Sequence, residues 1–61
     1  MSTTTDEYRK VTKRLSDLAG ETLAAVTSGQ FDLADTLQEE TRGLAKRQER
    51  LYAQIREEFR T

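Results

Sequence analysis

The stretch "TSGQFDLAD", residues 27–35, decides the fold. It carries one of only three glycines in a 61-residue chain that has no proline, and it separates two long runs of helix-forming residues. Gly29 can take the left-handed conformation that ends a helix, because it has no Cβ to collide with the following carbonyl. Asp32 is placed to cap a second helix, and Asp35 to sit in its first turn beside the positive end of the helix dipole. Phe31 would lie between them with its ring folded over the junction. About four residues then remain as a connection, which makes the flanking helices antiparallel neighbours. The alternative is a single continuous helix of about 55 residues that tolerates Gly29 in its interior.

Upstream of the bend, Tyr8, Val11, Leu15, Leu18, Thr22 and Ala25 follow one another in steps of three and four, the spacing of a helix packed along a narrow seam. Ala19, Leu23 and Val26 widen that stripe on one side. Thr4 and Glu7 read as a capping box, so the first arm is expected over residues 5–28. Downstream, Leu33, Leu37, Leu44, Leu51, Ile55 and Phe59 share a face, with Thr41 and Gln48 in its gaps. Leu37, Leu44 and Leu51 recur every seven residues, as in a coiled coil. The turn is expected at 29–32 and the second arm at 33–60, roughly 42 Å long. The fold class is all-α: an antiparallel two-helix hairpin filling 1–61 as one domain and expected to dimerise into a four-helix bundle. A chain of this length stands near the lower limit for a self-sufficient core.

Composition narrows the function classes. There is no His and no Cys, which removes the usual zinc, iron and copper ligand sets and the Ser-His and Cys-His nucleophile pairs. Glu39-Glu40 and Glu57-Glu58 are adjacent pairs that point about 100° apart on a helix, so neither shares a site. The Glu-x-x-His pattern of a bundle metal centre is missing, and so is any Gly-rich phosphate loop. Two helices also enclose too little space for a substrate pocket of a few hundred Å³. No enzyme, cofactor or metal is expected. No apolar run approaches the roughly 18 residues that span a bilayer, and the polar start "MSTTTDEYRK" lacks the apolar core of a signal peptide. No membrane partner is expected, and a cytoplasmic location is the default. With Cys absent, the redox compartment leaves no trace in the chain.

What remains is contact chemistry. The seam residues Leu15, Leu18, Leu37, Leu44 and Leu51, together with Phe31 and the crowded apolar end Tyr52, Ile55 and Phe59, are the candidate interface. That end would have little opposite it, because residues 1–5 are small and polar, and an exposed apolar end marks an interface. Thr41 and Gln48 could form a polar layer that fixes register. The stripe Ser16, Gly20, Ala24 and Ser28 reads as small residues on a solvated face, and Gly20 and Gly43 each cost about 1 kcal/mol relative to Ala. A basic cluster, Arg9, Lys10, Lys13, Arg14, Lys46, Arg47 and Arg50, is a candidate phosphate-binding patch, though acidic residues are interspersed and no base-stacking aromatics lie within it. Residues 17–43 hold six carboxylates against Arg42 alone, whereas the rest of the chain is basic. The hairpin is thus acidic at its bend and basic at its open end, which favours antiparallel pairing of two copies.

The expected function is a non-catalytic protein–protein interaction module, an adaptor, assembly factor or regulatory subunit, acting as a homodimer on another protein. The alternatives are a nucleic-acid-binding regulator using the basic cluster and a secretion or phage-assembly chaperone. No family motif is recognised. The size and hairpin plan resemble those of Rop-type plasmid proteins in architecture alone, which implies nothing about function.

Overall fold

The computed structural model of the protein describes residues 2–60. Met1 and Thr61, the ends of the domain expected over 1–61, lie outside the described residues. Two helices, α1 (Thr3–Thr27) and α2 (Phe31–Glu58), pack against each other as an antiparallel hairpin. The hairpin measures 49 × 17 × 12 Å. Its radius of gyration is 14.3 Å, against roughly 10–11 Å for a globular chain of this length, so the molecule is a short rod. The chain is not one continuous helix.

The bend turns on Gly29, whose φ is +73°. The Gly29 N–H donates to the Val26 carbonyl at 3.0 Å and the Gln30 N–H to the Ala25 carbonyl at 2.8 Å. This pair of bonds is the Schellman closure, which satisfies carbonyls that a helix end leaves bare. It already uses Gln30, so α2 restarts at once and the connection is 28–30 rather than 29–32. Asp32 consequently lies inside the first turn of α2 and is not its cap; Gln30 occupies the cap position without a side-chain hydrogen bond. Phe31, now the first helical residue, points outward at 62% exposure instead of covering the junction.

At the other end, Ser2 caps α1, its Oγ accepting the Thr5 N–H at 3.1 Å. Thr4 is therefore helical, and the expected capping box is not formed. Both residues are good caps by type; starting at Ser2 adds two helical residues, Thr3 and Thr4, and leaves Thr4 and Thr5 half-buried opposite the end of α2. The helix ends also differ from expectation. α1 stops at Thr27 rather than 28, and α2 stops at Glu58 rather than 60.

Val11, Leu18 and Ala25 of α1 and Ala34, Leu37 and Leu51 of α2 are buried, with Leu18 fully so. Tyr8, Leu15, Thr22, Thr41, Leu44, Gln48 and Ile55 are half-buried along the same seam. Leu18, Ala25, Ala34 and Leu37 form one cluster near the bend, with Leu44 packed against it. Two expectations for α2 fail. Leu33 is 47% exposed and Phe59 is 80% exposed. The place expected for Leu33 is taken by Ala34, because a three-residue connection draws the helices together and small side chains fill the space where Ala25 meets Ala34.

Candidate interaction surface

The seam divides the hairpin surface into two faces of different chemistry. In α1 the positions three residues beyond Thr4, Val11 and Leu18 are Glu7, Arg14 and Glu21; in α2 those three beyond Leu37, Leu44 and Leu51 are Glu40, Arg47 and Gln54. At about 100° per residue these positions flank the seam on one side. Five of the six are charged, and Arg14 and Arg47 pair across to the other helix; toward the bend the same line of α2 continues into Leu33, which is 47% exposed. Arg14 forks onto Glu40 with its Nε at 3.0 Å and Nη2 at 3.3 Å, while its Nη1 reaches Glu21 at 3.0 Å. Arg47 Nη2 meets Glu7 at 2.8 Å. The hydrogen bond to Glu40, helped by the two carboxylate charges and opposed by partial desolvation, holds the Arg14 guanidinium above its ordinary ionisation range. These side chains are 42–53% exposed, so solvent screens each pair and leaves it a small contribution.

The positions one residue beyond the seam lie on the opposite face. Counting in sevens, these are Thr5, Thr12, Ala19 and Val26 on α1 and Phe31, Gln38, Ala45, Tyr52 and Phe59 on the α2 side. None of the nine is charged, in a chain that is 34% charged overall. The helices are tied together on this face too, by uncharged groups: Gln48 Nε2 donates to Thr12 Oγ1 at 2.9 Å, and the Tyr8 and Tyr52 rings stand 6.3 Å apart at 42°. Large apolar groups remain in the open here. Val26 is 44% exposed, Tyr52 52%, Phe31 62%, Leu23 68% and Phe59 80%. Open grooves run along it, one lined by Tyr8, Ala45, Gln48, Glu49 and Tyr52.

The interface residues expected from the sequence thus separate into two groups. Leu15, Leu18, Leu37, Leu44 and Leu51 hold the hairpin together from inside. Phe31 and Phe59 are exposed, Tyr52 has Tyr8 opposite it, and Ile55 is half-buried. Leu23, Val26 and Thr12 escaped notice as members of a surface. Thr41 donates to its own Leu37 carbonyl at 2.8 Å and Gln48 crosses to Thr12, so the two make no joint layer.

The basic residues are not brought to one place. Arg14 and Arg47 belong to the ion-paired face. Arg9 and Lys46 each stand nine residues, two and a half turns, from the buried Leu18 and Leu37, so they point away from the seam in opposite directions. Lys10, Lys13 and Arg50 are exposed around the open half. Nothing in the structure explains Gly20 and Gly43: a Cβ at either would have nothing within 4 Å. Ser16, Ala24 and Ser28 of the small-residue stripe are exposed. Among the described residues no three acidic side chains gather as metal ligands, and no helix is long and apolar enough to cross a membrane. Compared with protein-family models, curated proteins and solved structures, the chain matches none.

Proposed function

We propose that the hairpin is a non-catalytic protein–protein interaction module, an adaptor, assembly factor or regulatory subunit, whose contact surface is the uncharged face. The observation that carries this reading is the asymmetry of the two faces. One carries the ion pairs and exposes only Leu33 among large apolar residues, whereas the other exposes Leu23, Val26, Phe31, Tyr52 and Phe59 and has no charge among its nine heptad positions. Exposed apolar side chains gathered on one face mark a site where another surface docks. A face with seven-residue spacing suits helices as the docking elements.

The arrangement of the basic residues supports protein over nucleic acid as the partner. Arg14 and Arg47 are bonded to Glu side chains, and Arg9 and Lys46 diverge, whereas phosphate binding calls for cations on one side. The test is affinity capture from the native organism with the wild-type chain and with Leu23→Glu as baits, read by mass spectrometry. Partners held by the wild type at both about 50 and 200 mM salt and lost with Leu23→Glu are expected. An identical set of partners on both baits removes the uncharged face from the function. Capture that collapses at the higher salt turns the reading toward phosphate binding.

A further inference from the structure

We propose that the uncharged face is covered by a second copy of this chain, packed antiparallel so that the bend of each hairpin lies over the open end of the other. The inference rests on the reading of that face as a contact surface and names its occupant. A two-fold contact is self-complementary: if one residue touches another across it, the reverse contact exists as well. The heptad line of α2 meets that condition about Ala45. Phe31 and Phe59 lie fourteen residues to either side of it, and Gln38 and Tyr52 lie seven to either side. Turned end for end upon itself, the line sets aromatic on aromatic at its ends and Ala45 on Ala45 at its middle, where two helices can approach closely.

The line of α1 meets the same condition about a point between Leu15 and Ser16. There Val26 falls on Thr5 and Ala19 on Thr12 of the second copy, and beside the line Leu23 comes level with Tyr8. The two centres need not have coincided, and they do. Tyr8 opposite Tyr52 and Thr12 opposite Gln48 fix the register of the helices. That register sets residues 15 and 16 level with Ala45, so one axis serves both helices.

Charge selects the same arrangement. Beside the uncharged line of α2 runs a second heptad line, Asp35, Arg42, Glu49 and Arg56. Reversed about the same axis, Asp35 faces Arg56 of the second copy and Arg42 faces Glu49, so all four pairs across the contact join opposite charges. A parallel dimer would instead lay α2 over α1 of the second copy. It would set the two carboxylate-rich bends at the same end of the dimer and leave Asp35 without Arg56 to face. The size of the face is also adequate. A surface 49 Å by 17 Å offers about 800 Å² per copy, the amount each partner of a standard stable interface buries.

The chain has no cysteine, so single introduced cysteines report the geometry without interference. Ala45→Cys and Gln30→Cys both lie on exposed positions, and circular dichroism checks that each variant keeps its helices. With a second copy bound antiparallel, sedimentation equilibrium of the wild type gives a dimer. Ala45→Cys then oxidises rapidly to a disulfide-linked dimer, and Gln30→Cys does not, because the two bends lie far beyond the roughly 7 Å between Cα atoms that a disulfide spans. Arg42→Glu, which turns two attractions into repulsions, weakens the dimer about tenfold, and adding Glu49→Arg to the same chain restores it. Rapid linkage through Gln30→Cys with Ala45→Cys left reduced would overturn the antiparallel arrangement while leaving the uncharged face as the contact surface. A wild-type monomer at every loading would exclude the second copy. Loss of captured partners in Leu23→Glu alone would then show that the face is used and that its occupant is another protein.

Discussion

The half of the hairpin next to the bend and the half next to the open end are held by different means. Near the bend, Leu18, Ala25, Ala34 and Leu37 close into one dry cluster, and the chain itself ties the helices together through 28–30. Toward the open end the buried residues thin out to Val11 and Leu51. Cross-helix bonds between partly wet groups take over there: Gln48 to Thr12, Tyr8 against Tyr52, Arg47 to Glu7, and Ser2 Oγ to Glu58 at 3.3 Å. A cluster that excludes water gains by apolar burial, about 1.5–3 kcal/mol for each large aliphatic side chain. An exposed hydrogen bond or ion pair exchanges water for protein at little net gain. The bend half should therefore be the more stable one, and the open half the place where the hairpin frays.

The sharpest way to break this comparison is to empty the cluster. Leu18→Ala should cost about 3 kcal/mol, because its side chain is fully buried and the helices cannot collapse onto the gap without moving the bend. Leu51→Ala, at 5% exposure in the open half, should cost less, about 2 kcal/mol. Urea denaturation followed by circular dichroism at one fixed protein concentration measures both. Equal costs, or a larger one for Leu51→Ala, would remove the distinction between the halves.

Next in size is Gly29→Val. A β-branched residue at φ +73° should cost about 1–2 kcal/mol through backbone strain alone, since nothing lies within 4 Å of the added Cβ. Gly29→Asn should be nearly neutral, because Asn tolerates this conformation. Equal melting temperatures for Gly29→Val and the wild type would show that the Schellman closure does not hold the bend.

Gln48→Leu sharpens the reading of the open half. The substitution loses a single bond to an exposed Thr12 hydroxyl, which water can satisfy, and buries more apolar surface at a half-buried position. Stabilisation by about 0.5–1 kcal/mol is expected; a lower melting temperature would mean that the Gln48–Thr12 bond carries the open half. The smallest effect belongs to the ion-paired face. Glu40→Gln should lower the melting temperature slightly at low ionic strength and less in added salt. Salt is the useful variable here, because Arg14 remains charged at any working pH. A loss that persists in high salt would show that the Arg14 fork acts through geometry more than charge.

The seam of α1 was legible in the sequence, because Tyr8, Val11, Leu15, Leu18, Thr22 and Ala25 follow steps of three and four that nothing else produces. The two-helix hairpin was legible from Gly29 and its setting. The helix starts were not: Ser2 and Thr4 both suit a cap by type, and the fit of the two added residues against α2 accompanies the earlier start. Leu33 and Ala34 show a second limit. Each lies beside the seam, hydrophobicity ranks Leu first, and the choice of Ala follows from how closely a three-residue connection draws the helices together. The uncharged face was hidden for a different reason. Its line on α2, from Phe31 to Phe59, and its line on α1, from Thr5 to Val26, are each unremarkable alone. They become one surface only after Tyr8 meets Tyr52 and sets the register.

The three-residue connection also orders events in time. Bringing Ala25 to Ala34 closes a very short loop, whereas the Ser2–Glu58 bond joins residues 56 apart, and closing a longer loop costs more chain entropy before any contact repays it. Folding should start at the bend and run toward the open end as a zipper, at the fast rates typical of helical chains rich in local contacts. The two halves then differ in which rate constant they control. Leu18→Ala should act mainly by slowing folding, and Leu51→Ala mainly by speeding unfolding, as temperature-jump relaxation across a urea series would resolve. The rate of complete unfolding would then be set by the late-forming layer around Tyr8, Tyr52 and Leu51, even though that layer frays first and the larger share of equilibrium stability lies at the other end.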